Sequence, residues 1–119
     1  MNNMTTKIVY ISFDDEEFAS EQTCRNYENK AAKCVEEMLE VYSLFDKDMN
    51  KYEFNTDDIG KFLVAFEKAS DTCEYVKVKQ IPSRTLHEFI WKQIGIIIPQ
   101  EEIGLYRYDW QSNEWVSIN

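Results

Sequence analysis

Glycine and proline are scarce, three and two in 119 residues, and no stretch is rich in serine, glycine or proline. That composition excludes a flexible linker or a low-complexity tail. It also leaves no glycine-rich phosphate loop, nucleophile elbow or metalloprotease helix. His87 is the only histidine and no Cys-x-x-Cys occurs, so the usual zinc ligand sets are missing. The longest apolar run, Ile94 to Ile98 with Gly95 inside it, is far short of the roughly 20 residues a membrane-spanning helix needs. The opening Met-Asn-Asn-Met-Thr-Thr-Lys lacks the basic region and apolar block of a secretory signal, so no membrane partner and a cytoplasmic location are expected.

Positive charge is the other shortage. Lysine and arginine total 13 against 22 aspartates and glutamates, a formal net charge of −9, and no basic cluster offers the footprint of direct nucleic-acid binding. A basic protein partner is favoured instead. The three cysteines, Cys24, Cys34 and Cys73, are an odd set, and the first two lie on one predicted helix about 15 Å apart, beyond disulfide reach. They read as buried apolar thiols in a reducing compartment.

The chain is long enough, and at 44% hydrophobic apolar enough, for one core. Residues 1–6 read as a loose terminus and 7–119 as a single domain. Residues 7–13 (Lys-Ile-Val-Tyr-Ile-Ser-Phe) predict a central strand, stopped by Asp14, Asp15, Glu16 and Glu17, with Glu17 to Ala19 pairing back as a short arm. Ser20 opens a helix over 21–40, whose Tyr27, Ala31, Cys34, Val35, Met38 and Leu39 recur at spacings of three and four. Val41–Phe45 and Lys51–Phe54 predict a hairpin around a turn at 46–50, and Asn55 or Thr56 would cap a second helix bearing Ile59, Phe62, Leu63 and Phe66. A strand at Tyr75–Lys79 precedes Pro82. A third helix follows from Ser83 or Thr85, with Thr85 and Glu88 at capping-box spacing, Leu86, Phe89, Ile90 and Ile94 buried, and Gly95 as its stop. Residues 104–110 and 114–118 close the chain as a hairpin. The order implies an α+β fold, an antiparallel or mixed sheet with three helices mainly on one face.

The sharpest local motif runs from Phe45 to Tyr52, where Asp46, Asp48 and Asn50 match the first three ligands of an EF-hand calcium loop. Lys51 stands where that loop needs glycine, Glu53 where it needs an aliphatic residue, and Asp57 where a bidentate glutamate is usual. An acidic turn explains the residues better, and calcium binding is carried only as an alternative. Adjacent carboxylates such as Asp14-Asp15 or Glu101-Glu102 lack a second functional group, and His87, Ser20 and Ser83 read as a surface side chain and two helix caps. No enzyme activity and no cofactor are expected. Tyr106, Tyr108, Trp110 and Trp115 lie close together near the end of the chain, and residues of these types dominate binding hot spots.

The segment from Ile8 to Lys30, a short strand, an acidic turn and then Phe18-x-Ser20-Glu21-x-x-Cys24-x-x-Tyr27-Glu28, resembles the opening of small accessory proteins of bacteriophages and prophages. That resemblance implies a mobile-element origin and a role of the anti-restriction or anti-CRISPR kind. The leading expectation is a non-enzymatic inhibitor of a host defence protein, acting in the host cytoplasm on a basic, nucleic-acid-handling surface. Its docking residues would be Asp14, Asp15, Glu16, Glu17, Glu36, Glu37, Glu40, Tyr106, Tyr108, Trp110 and Trp115. A second expectation is a protein that sequesters a nucleotide signal between aromatics and Arg25, Arg84 and Arg107. The hairpin aromatics are also compatible with a homodimer.

Overall fold

Ser20, Asp58 and Ser83 each stand in extended backbone and accept a bond from a main-chain N–H three residues on, and a helix follows each of them. The computed structural model describes residues 8–95, 98–99 and 102–118. The terminus at 1–6, and Glu101 of the Glu101-Glu102 pair, lie outside the described residues.

Two short strands, β1 (Tyr10–Ile11) and β2 (Glu17–Phe18), form an antiparallel ribbon of their own. Helix α1 (Glu21–Val41) leads directly into β3 (Tyr42–Phe45). Helix α2 (Ile59–Thr72), β4 (Tyr75–Val78), α3 (Arg84–Gln93), β5 (Gly104–Asp109) and β6 (Glu114–Ser117) follow. Strands β3 to β6 make one antiparallel sheet in the order β3-β4-β5-β6, so the α+β expectation holds.

Alternation along the strands decides which face is covered. Tyr42 lies opposite Val78 and Leu44 opposite Val76, and all four are buried. The same row continues through Tyr106 on β5 to Ser117 on β6, with Tyr108 opposite Trp115. Against it pack Met38 and Val41 of α1, Phe62 and Phe66 of α2, and Leu86 and Ile90 of α3. Phe54 adds an aromatic wedge, its ring 5.4 Å from Phe62 and 5.6 Å from Phe66.

Several local readings change. Of the run expected at 7–13, Lys7 lies outside the described residues, and 8–13 do not form a central strand. The Ser12–Glu16 segment turns back on itself through Asp15, whose φ is 63°, and β4 already occupies the interior of the larger sheet, so only Tyr10 and Ile11 pair. The expected hairpin of 41–45 with 51–54 shrinks to a single bridge between Phe45 and Lys51, on the edge of β3 away from its partner β4. Helix α2 is capped by Asp58 rather than Asn55 or Thr56. Its carboxylate accepts from the Lys61 N–H at 2.8 Å and sits at the positive end of the helix, where a charge outdoes a hydroxyl or amide. Leu39 falls off the apolar stripe of α1 and is exposed. The Thr85–Glu88 capping box does not form. Ser83 is the cap, and Glu37 of α1 reaches across to accept from both the Ser83 N–H and its hydroxyl, each at 2.8 Å. Gly95 ends α3 as expected, at φ 60° with its N–H on the Ile90 carbonyl.

Candidate functional site

The row of side chains facing the helices is buried on β3 and β4 and only partly buried on the β5–β6 hairpin. Between that hairpin and the exposed sides of α2 and α3 lies an open groove of about 1180 Å³. Helical periodicity builds one wall. Glu67, Ser70 and Asp71 form a stripe on α2, and His87, Trp91 and Ile94 form another on α3, beside the buried Leu86 and Ile90. The opposite wall is the hairpin, with Tyr106, Tyr108, Trp110 and Trp115.

The hairpin aromatics are locked together. Tyr108 and Trp115 are cross-strand partners with ring centroids 5.1 Å apart, edge to face, and Trp110 meets Tyr108 at 4.6 Å in the same manner. The turn that carries Trp110 is held by Asp109, whose carboxylate accepts from the Gln111 N–H at 3.0 Å and the Ser112 hydroxyl at 2.9 Å. Those bonds, the backbone one first, hold the Asp109 carboxyl below its ordinary pKa. Asn113 closes the turn at φ 56°, a conformation asparagine tolerates. The Trp110 indole is thereby fixed in place yet 61% exposed, and Trp91 across the groove is 64% exposed. Two indoles this accessible lie along one concavity, in a chain whose other bulky aromatics are mostly covered.

The ionisable residues along the groove are Glu67, Asp71, His87, Glu102 and Glu114, and no lysine or arginine lines it among the described residues. Cys73 lies at its floor, where burial pushes the thiol up to about 12. A thiol so protonated is a packing group and not a nucleophile. Cys24 and Cys34 are also free and buried.

The expected docking residues divide. Tyr106, Tyr108, Trp110 and Trp115 come together on one wall of the groove. The acidic residues do not join them. Asp14 accepts hydrogen bonds from Ser12, from Tyr27 and, at 3.0 Å, from Gln93 of α3. It ties the N-terminal ribbon to two helices, with Phe13 and Phe18 packed on the Tyr27 ring. Glu16 is paired with Lys92 at 3.1 Å, and Glu37 accepts from Ser83, the cap of α3. Asp15, Glu17, Glu36 and Glu40 are exposed. Sequence reasoning passed over Trp91, His87, Glu67, Asp71, Glu102 and Glu114 as groove residues. The available signal was Trp91, a large aromatic outside the Leu86, Phe89, Ile90 and Ile94 stripe of α3.

Partial burial would raise the Asp14 pKa, but the bonds from Ser12, Tyr27 and Gln93 outweigh it and hold the carboxyl below 3.8. A depressed folded-state pKa stabilises the fold above the unfolded value and ceases to do so as pH falls through the folded one. Asp14→Asn is expected to cost roughly 1 kcal/mol at pH 7, a low figure because the cluster is half open to water. In thermal melts the gap between the two proteins narrows as pH drops below 3.8; a gap independent of pH would refute the assignment.

The residues of the calcium and nucleotide alternatives are engaged locally. Asp46 turns its carboxylate onto the N–H groups of Asp48 and Asn50, both at 2.9 Å. The loop is entered from β3 and not from a helix, and no group of three or more histidine, cysteine or acidic side chains among the described residues is arranged to hold a metal. Of the arginines, Arg25 pairs with Glu21 and Arg84 with Glu88. Arg107 alternates with Tyr106 and Tyr108 on β5 and so belongs to the other face of the sheet. None of the three lines the aromatic groove. No helix among the described residues is long and apolar enough to cross a membrane. Comparisons with protein-family models, with curated proteins and with solved structures find no match for this chain.

Proposed function

We propose that this chain is a non-enzymatic binding protein that docks on a basic surface of a host defence protein, in the manner of phage-encoded anti-restriction and anti-CRISPR inhibitors. The observation that carries the reading is the groove itself, where exposed tryptophans meet an ionisable lining that is acidic apart from one histidine. The resemblance of residues 8–30 supplies the anti-defence setting, and the groove supplies the surface. Such a surface steers a basic partner at long range and holds it through aromatic anchors. The exposed acidic side chains outside the groove, among them Asp15, Glu17, Glu36 and Glu40, add to the long-range field without making contact.

The test is affinity capture from host lysate at about 50 mM salt and again at about 500 mM, where screening shortens the reach of charge to a few ångströms. A basic partner retained at low salt and largely released at high salt is the expected result. Failure to retain any partner at low salt, or retention indifferent to salt, would count against the proposal.

A further inference from the structure

We infer that the groove receives an arginine side chain from an extended segment of the bound partner; this deepens the proposed function and rests on it. Charge excludes most other occupants. A phosphate or carboxylate ligand would find no lysine or arginine along the groove among the described residues, and would lie against Glu67, Asp71, Glu102 and Glu114. A wholly apolar segment would lay uncharged groups along those carboxylates and desolvate them without compensation. A cation is attracted by both components of the lining, the carboxylates and the negative faces of the indole and phenol rings.

Between the two biological cations, the lining favours guanidinium. Trp91 on α3 and Trp110 on the hairpin turn present exposed indoles to the same concavity. A planar, weakly hydrated guanidinium stacks on such rings and still directs its N–H groups sideways to carboxylates. A lysine ammonium is a compact, strongly hydrated point charge that would have to shed its water to use the rings. The groove is open along its length, which suits a side chain delivered from a strand or loop and not an enclosed free metabolite.

The direct test follows the indole N–H resonances of the full chain by NMR while titrating acetyl-Gly-Arg-Gly-Arg-Gly-amide, its citrulline counterpart and its lysine counterpart. Arginine should shift the Trp91 and Trp110 signals saturably, with citrulline, which keeps the shape and loses the charge, at least about tenfold weaker, and lysine several-fold weaker. The Glu67→Gln/Asp71→Asn double variant should weaken the arginine peptide by about fivefold while its melting temperature stays near that of the unaltered protein. Indoles unmoved by the arginine peptide, or citrulline or lysine binding as tightly as arginine, would overturn the inference. Capture of the partner by Trp110→Ala separates the two levels. If the peptides fail but partner capture still depends on Trp110, only the arginine assignment falls. If capture does not depend on Trp110, the groove is not the docking site and both readings fall.

Discussion

Trp110→Ala is expected to weaken binding to the captured partner by about 30-fold or more, the scale of a hot-spot aromatic worth about 2 kcal/mol. The melting temperature should scarcely move. Trp110 sits at the hairpin turn, 61% exposed, and its ring contact is to Tyr108. The turn is held by Asp109 through Gln111 and Ser112, and none of those bonds uses the indole. Removing it therefore deletes surface of the proposed docking site without opening the core. Calorimetric titration of the two proteins against the purified partner checks the affinity. A variant that binds within threefold of the original would show that this wall of the groove is not used.

Phe66→Ala should produce the largest loss of stability, about 3–5 kcal/mol. Phe66 is 1% exposed and lies where α2 meets the sheet, its ring 5.6 Å from Phe54, 5.8 Å from Phe62 and 6.3 Å from Tyr42. Small domains have only about 5–15 kcal/mol in total, so this one truncation would remove a large fraction of the stability. Urea denaturation should show a much lower midpoint at an unchanged slope, the signature of lost stability without a changed unfolded state. A cost under 1 kcal/mol would mean that the three helices do not share one core on this face of the sheet.

These two residues also mark what was legible in the sequence. Phe66 belongs to a stripe with Ile59, Phe62 and Leu63, and periodicity of that kind identifies core positions before any coordinates are seen. The same holds for Ser20 and Ser83 as caps, Gly95 as a helix stop, and the closing hairpin from Gly104 onwards. What could not be read was which strands pair. Residues 7–13 have the composition of a central strand, yet their position depends on β3, β4 and β5 having already satisfied one another, a long-range fact that no local run of valine and isoleucine reports. The hairpin expected at 41–54 is reduced to the Phe45–Lys51 bridge on the outer edge of β3.

The site was half legible. Tyr106, Tyr108, Trp110 and Trp115 lie within one short stretch, and alternation in a hairpin brings three of them to one face without further information. Glu67, Asp71 and Trp91 come from two other helices, and only the tertiary arrangement sets them across the groove. Counting carboxylates along the chain pointed instead to Asp14 and Glu37. Both turned out to be tied into the fold, Asp14 by Tyr27 and Gln93, and Glu37 by Ser83. A short side chain flanked by later partners looks the same in sequence whether it faces water or braces two elements.

The most direct measurement is a chemical-shift map of the labelled protein with and without its captured partner. Binding through the groove predicts that the indole signals of Trp91, Trp110 and Trp115 and the amides of 104–117 change most, while Asp15, Glu17, Glu36 and Glu40 change little. Perturbations confined to the N-terminal ribbon and the outer side of α1, with the three indoles silent, would contradict it.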